Sequence, residues 1–396
     1  MTATIINDLP ARSEGLYMLT FLTIPLELRL FIYDVFLANH QHVDASRQPS
    51  NAHFALLHTC KQIACEAAYY RAYVSLEHEQ QITAFISNIP EAHASQILSA
   101  DVANDGRITV PVSYLYQALG KMPSLRRLRV FDCRRGGPTR DFVPGARLSL
   151  QFELAMFPSG RSGLHSYELY LEPSTQAVVF QTISPANIQV LRLSGRVRFS
   201  KTFQVLSLSH LAIRCVTSNH LDHRMEEQFN HSNLQSFRYT QGNNRMGSEI
   251  TDRYFQSLVS GPGAGLRKLV LLGCSKLTYT SLASCLRSLP LLEYFALSLV
   301  TIRELRSSFI TALPASVIVF KLKISNAWYT DPLLQQETEL CDELEASFLR
   351  RQPPPQSVSL NLRDSVLSGR DVHWCILARA SGYSLTLGPW EQSENV

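Results

Sequence analysis

Four residues in one short stretch, His53, His58, Cys60 and Cys65, carry the side chains of a zinc site. Their spacing argues for something plainer. Cys60 falls on the apolar stripe of a predicted helix beside Leu56 and Leu57, and no C-x-x-C pair supplies the thiolates that structural zinc centres use. A packed thiol is the expectation; no metal and no cofactor is assigned. His220, His223 and His231 surround a polar loop and read as surface histidines. The chain has no Walker phosphate loop, no G-x-G-x-x-G turn after a strand and no G-x-S-x-G elbow, so no catalytic residue is assigned and a non-enzyme is expected. What stands out is cationic: of 37 basic residues, 30 are arginine, whose planar forks match carboxylate and phosphate. A GC-rich coding sequence would give the same bias.

The segments that carry these arginines recur. The clearest reads Leu266-x-x-Leu269-x-Leu271-x-x-Cys274, and Leu125-x-x-Leu128-x-Val130-x-x-Cys133 repeats it. Leu269 and Leu271 share one face of a short strand because side chains alternate across a strand. Leu282, Leu286 and Leu289 then change to helical spacing, a return over the core. This pattern is the L-x-x-L-x-L-x-x-N/C signature of a leucine-rich repeat. Strand cores end at 130, 150, 171, 193, 213, 239, 271, 297, 322, 362 and 387, in steps of 20 to 26 residues save two long ones before 271 and 362. From residue 266 onward the returns read as helices, including an extra one over 332–351. Between 146 and 213 the returns are short and contain Pro158, Gly160, Gly163, Pro173 and Pro185, which predicts turns or extended segments. The fold class expected is α/β: a leucine-rich-repeat solenoid with one curved parallel sheet, capped by Trp374, Ile376, Leu377 and Trp390.

Ahead of the repeats, Pro25 and Glu27 suit the first turn of a helix, and Leu28, Phe31, Ile32, Val35 and Phe36 recur at helical spacing. A polar loop over 39–51 leads to a second predicted helix, 53–71, with Leu56, Leu57, Cys60, Ile63, Ala64 and Ala67 as its stripe. So small a helical pair is marginal alone. Ile24-Pro25-x-Glu27-Leu28-Arg29-x-x-Ile32-Tyr33, followed by Leu57-x-x-Cys60-Lys-Gln-Ile63-x-x-Glu66-Ala67, resembles an F-box in the divergent form common in fungi, with Ile24 where Leu is more usual. The resemblance covers about the first fifth of the chain. It implies a small all-helical F-box-like domain that binds a Skp-type adaptor, and through it a cullin, with the repeats holding the target of a ubiquitin ligase. Carried onto this sequence, Leu22, Ile24, Pro25, Leu28, Ile32, Leu56, Leu57 and Ile63 would grip the adaptor. The alternative is a non-catalytic repeat scaffold on which the same helices serve as a cap. The divisions expected are a tail (1–18), the F-box-like domain (19–73) and the solenoid with its C-terminal cap (74–396).

In a strand written x-L-x-L-x, the x positions line the concave surface. They include Arg127, Arg129, Tyr170, Arg192, Arg214, Arg238, Lys268, Lys321 and Arg363, while acids concentrate at Glu168 and Glu172. A basic concave face would bind an acidic or phosphorylated protein segment; alternatively, these charges simply solvate an exposed sheet. A net charge of +4 is too small to argue for nucleic acid, and the aromatic interleaving that single strands favour is missing. Hydrophobic residues at 45% and charged ones at 18% exclude a disordered chain. Residues 1–15 lack the charged-then-apolar layout of a secretory signal, and no apolar run reaches the roughly 20 residues that cross a bilayer. With eight scattered cysteines read as reduced, the expectation is a protein of the cytoplasm or nucleus with no membrane partner.

Overall fold

The computed structural model describes residues 21–41, 51, 54–67, 71–76, 79–104, 114–132, 149–150, 152–171, 173, 175–199, 204–216, 225, 229, 232–241, 248–301 and 308–394. The expectations for His53, Cys133, Glu172, His220, His223 and His231 lie outside them. The chain divides into two compact units, Met1–Tyr70 and Arg71–Val396.

In the first unit a 3-10 turn, Phe21–Thr23, leads into helix α1, Leu26–Gln41. The second helix expected over 53–71 is instead two short ones, α2 (Phe54–Leu57) and α3 (Lys61–Glu66), with the chain extended at Cys60 between them. Tyr33, Ile63 and Ala67 form a small core, against which Phe21, Leu30, Leu37, Leu56, Leu57 and Cys60 pack.

The second unit opens with β1 (Tyr73–Leu76) and β2 (Ser99–Asn104), followed by β3 (Arg127–Asp132), β4 (Ser149–Leu150), β5 (Ser166–Tyr170) and β6 (Gln176–Val179). Next come β7 (Val190–Ser194), β8 (Arg196–Phe199), β9 (His210–Arg214), β10 (Ser236–Thr240), β11 (Lys268–Cys274), β12 (Tyr294–Thr301), β13 (Val319–Asn326), β14 (Ser357–Asn361) and β15 (Ser384–Leu387). Twelve of them form one parallel sheet in chain order, β1-β2-β3-β5-β7-β9-β10-β11-β12-β13-β14-β15. The pairing register stacks the motif positions on one another. Leu269 lies beside Phe295, Phe320, Val358 and Leu385 in turn, and Leu271 beside Leu297, Leu322, Leu360 and Leu387. Leu128, Leu193, Leu269 and Leu322 are fully buried in one continuous core. This is the layered architecture of leucine-rich repeats, in which each layer covers its neighbour's apolar face.

The expectation of a single sheet is corrected. The strand core expected to end at 150 is β4, Ser149–Leu150, and it belongs to a second parallel sheet, β4-β6-β8. Its partners β6 and β8 lie in the short layers β5–β7 and β7–β9, whose return legs carry a strand's alternation, while β4 itself lies in the longer connection from β3 to β5, just before a short helix, Phe152–Met156. Ala177, Val179 and Val197 point inward while Gln176, Val178, Arg196 and Arg198 stay partly or fully exposed. Glu153, fully buried, secures this region by accepting backbone N–H bonds from Phe180 (2.8 Å), Gln181 (2.7 Å), Thr182 (3.0 Å) and Ile183 (3.2 Å). In the later layers helices return as expected, among them Tyr279–Arg287 and Leu334–Glu343, the latter continuing in π-helical turns over Leu344–Leu349, and a further helix, Asp252–Ser260, precedes β11 where the sequence pattern placed none. Cys274 can be both ninth in its motif and buried because Gly273 before it adopts a left-handed φ of 76° at a bulge in the β11–β12 register.

The cap is built differently from the expectation. Trp374 is fully buried and donates to Glu345 (2.9 Å), and Leu377 packs on the core, but Ile376 is exposed. Trp390 does not seal the end of the core. Gly388, at a φ of 127° that L side chains rarely adopt, turns the chain after β15 onto the opposite face of the sheet. There Trp390 packs on Val270, Leu272 and Ala296.

Candidate functional site

Two surfaces have a shape that could bind. The first is a face of α1. Arg29, buried, directs Nε at Glu66 Oε2 (2.9 Å) and Nη2 at Glu66 Oε1 (2.6 Å). Tyr33 OH donates to the same carboxylate at 2.9 Å and Gln62 at 2.8 Å. Arg29 Nη1 also donates to the carbonyls of Leu22 (3.0 Å) and Ile24. These bonds pin α1 to α3 and fix the entry turn, so Arg29, Tyr33 and Glu66 serve architecture. Left outside are Leu22, Leu26, Leu28, Phe31, Ile32, Val35 and Phe36, all exposed, with Leu28 at 54% and Phe31 at 66%. Of the residues assigned to an adaptor, Leu22, Leu28 and Ile32 are exposed, as is Pro25, and Ile24 is half-buried. Leu56 and Leu57 are half-buried against the small core and Ile63 lies inside it, so Ile63 supports this surface from beneath. His58 and Cys65 are exposed and Cys60 is half-buried, and both cysteines are free thiols.

The second is the outward face of the large sheet, opposite the core. Register places one residue per strand in a row: Ser75, Asp101, Arg129, Glu168, Arg192, Ala212, Arg238, Val270, Ala296, Lys321, Ser359 and Thr386. The basic residues of the sequence pattern are here, in different electrostatic states. Arg129 is 5% exposed and forms a bidentate pair with the fully buried Asp101, through Nε at 2.6 Å and through Nη2; Tyr73 OH holds the same carboxylate at 2.7 Å. Arg127 lies 3.7 Å from Glu168. Arg363 is outside the row: it binds Glu337 (3.0 Å) and Asn326 (2.6 Å) and ties the end of β14 to the helix Leu334–Glu343.

The acids that meet the C-terminal half of this face come from the tail. Glu394 accepts from Tyr294 OH and from Lys321 Nζ (2.6 Å) and lies 3.6 Å from Arg238. Glu391 pairs with Lys323, and Trp390 donates to the Leu322 carbonyl at 3.2 Å. The Lys321 and Tyr294 bonds hold the Glu394 carboxyl below the ordinary carboxylate range despite its burial. Sequence reasoning missed this cover. Its signal was present, because Val270, Leu272 and Ala296 are apolar at positions meant for solvent.

Beyond the tail the row opens into a cleft of 540 Å³ over β5, β7, β9 and β10, where the small side chains of Ala212 and Ser236 leave depth. Arg192, Arg238, Lys268 and His210 line it, with Glu168 and Tyr170 on one wall. Arg214 stands outside its lining but near enough that its charge bears on Arg192. Of the nine residues assigned to a target, the fold therefore gathers Tyr170, Arg192, Arg238 and Lys268 at one cleft, with Lys321 beyond it under the tail.

No protein-family model matches the chain, and no curated protein matches it. Among solved structures it is similar to the leucine-rich repeat-containing protein LegL7 from Legionella pneumophila, at 14% identity and a TM-score of 0.35, over 80% of this chain and 90% of that one. Among the described residues, no helix is long and apolar enough to cross a membrane, and no group of three or more His, Cys, Asp or Glu could hold a metal ion.

Proposed function

We propose that this chain is the non-catalytic, substrate-holding subunit of a Skp–cullin–F-box ubiquitin ligase, acting in the cytoplasm or nucleus. The N-terminal helices would engage the Skp-type adaptor and the basic sheet face an acidic or phosphorylated segment of a protein target. The observation that carries the reading is the exposed apolar row Leu28, Phe31, Ile32 and Val35 on a helix locked in place by the Arg29–Glu66–Tyr33 cluster. A rigid apolar face of this kind is a surface that a partner covers, and two of its residues, Leu28 and Ile32, are among those by which the sequence resembles an F-box. In such a complex the chain contributes proximity, and the transfer chemistry belongs to other subunits.

The full chain, co-expressed with a Skp-type adaptor, is expected to co-purify with it. The double substitution Leu28→Asp with Ile32→Asp should weaken capture at least about thirtyfold, because two carboxylates would be buried without partners. Both side chains are exposed, so the unfolding temperature should stay where it was. A wild-type chain that captures no adaptor would end the ligase reading and leave a repeat-based interaction scaffold.

A further inference from the structure

Arg192 is in an unusual position for a charged side chain. It is 6% exposed, its guanidinium lies 4.3 Å from the Tyr170 ring centroid, and its buried Nε has no hydrogen-bond partner. Among the described residues no carboxylate pairs with it. Glu168, the acid beside it in register, spends its oxygens on Ser166 (2.8 Å) and Tyr170 (2.9 Å) and lies toward Arg127. A buried guanidinium without an anion is costly, and its neighbours add to the cost: desolvation first, then the charges of Arg214 and Arg238, favour loss of its proton, with Tyr170 and Glu168 opposing. Lys268, on the same cleft, touches the Tyr294 ring at 4.3 Å, and burial lowers its pKa too.

The register explains how these cations converge. Arg192 and Arg238 flank Ala212, two strand steps apart, which is about 9–10 Å at the backbone. The methyl group between them cannot fill the gap, so both side chains border one cleft with Lys268 at its far wall. The same face shows how it treats anions, since Glu394 is held on Lys321, Tyr294 and Arg238. That carboxylate reaches the row only as far as Arg238 and leaves Arg192 unmatched.

We infer that this cleft is a phosphate-recognition site for a phosphorylated side chain on a peptide segment of the target, with Arg192 as its central ligand and Arg238 and Lys268 as flanking cations. The inference deepens the target-holding half of the proposed function and rests on it. A phosphomonoester suits the site better than a carboxylate. Its roughly two negative charges and three acceptor oxygens answer a buried fork, a second arginine and an ammonium at once. The volume exceeds a bare phosphate, leaving room for the residues that carry it. Stacking on Tyr170 holds the fork in one orientation, which lowers the ordering cost of binding.

The test uses the intact chain and two probes, N-acetyl-O-phosphoserine amide and N-acetylaspartate amide, titrated by calorimetry at constant ionic strength. The phosphorylated probe is expected to bind, and the aspartate probe to bind at least about tenfold more weakly. Arg192→Gln should weaken the phosphorylated probe by a similar factor. Ala212→Glu, which places an acid between the two arginines, should remove binding while the unfolding temperature shows the fold intact. Equal binding to wild type and Arg192→Gln, or an aspartate probe as tight as the phosphorylated one, would overturn the site. Adaptor capture, measured on the same variants, separates the two ideas: it should be unchanged by Arg192→Gln. Captured adaptor with no phosphate binding would sink the cleft alone, whereas phosphate binding without adaptor capture would sink the ligase reading alone.

Discussion

Glu66 is the residue on which the N-terminal unit closes. Its hydrogen bond from Arg29, then those from Gln62 and Tyr33, pull its carboxyl from the ordinary 4.5 to about 2. Burial, and then the bond to Glu66, push the Tyr33 hydroxyl up to about 12. For an acid whose pKa is lower folded than unfolded, the stabilisation is complete above the unfolded value and is lost as the folded form takes up its proton. Amide exchange over Leu26–Gln41, corrected for intrinsic rates, should therefore accelerate as pH falls from 4.5 toward 2. Glu66→Gln should raise exchange at neutral pH and flatten that dependence; an identical acid profile in the variant would rule Glu66 out as the cause. Arg129 teaches the opposite lesson about charge. In sequence it is one of a row of outward arginines, yet Asp101, 28 residues earlier, takes it completely. Arg129→Glu would confront two buried carboxylates and report on folding rather than on a partner.

Among the elements, the C-terminal turn Glu391–Glu394 stands apart because it lies on the face that the repeats present to solvent. Trp390 supplies the apolar cover and the two glutamates supply the charge, so the segment is bound to its own sheet as a short acidic peptide would be. Replacing Glu391 and Glu394 with Gln keeps shape and removes the pairs with Lys321, Lys323 and Arg238. Charge-assisted bonds of this kind are worth about 1.5–3 kcal/mol when shielded and less when exposed. Amide exchange across residues 389–394 should rise at least about tenfold while β11–β13 keep their protection. Unchanged exchange would mean that Trp390 alone holds the segment.

At the scale of the molecule, stability is a sum over layers that touch only their neighbours. Leu269→Ala removes a fully buried side chain and should cost about 2–5 kcal/mol in denaturant unfolding. The lost amide protection should centre on β10, β11 and β12, with β2 and β3 affected least; uniform loss across the sheet would point to one indivisible core. The repeat was legible because its signal is local: Leu266, Leu269, Leu271 and Cys274 lie within nine positions, and strand alternation assigns their faces without knowledge of the rest of the chain. The extended returns near Pro173 and Pro185 were legible for the same reason, although their pairing into a second sheet was not. The charged face was legible only as a count of arginines. Which of them Asp101, Glu337 or Glu394 neutralises, and that no carboxylate among the described residues pairs with Arg192 beside a cleft floored by Ala212, depends on strand register and on a tail that folds back across the sheet. Periodicity along the chain thus determined the layers and their inward faces, since those follow from backbone geometry. Tertiary structure alone decided which outward charges remain unmatched, because electrostatic pairing depends on distance in space and residues far apart in sequence meet there.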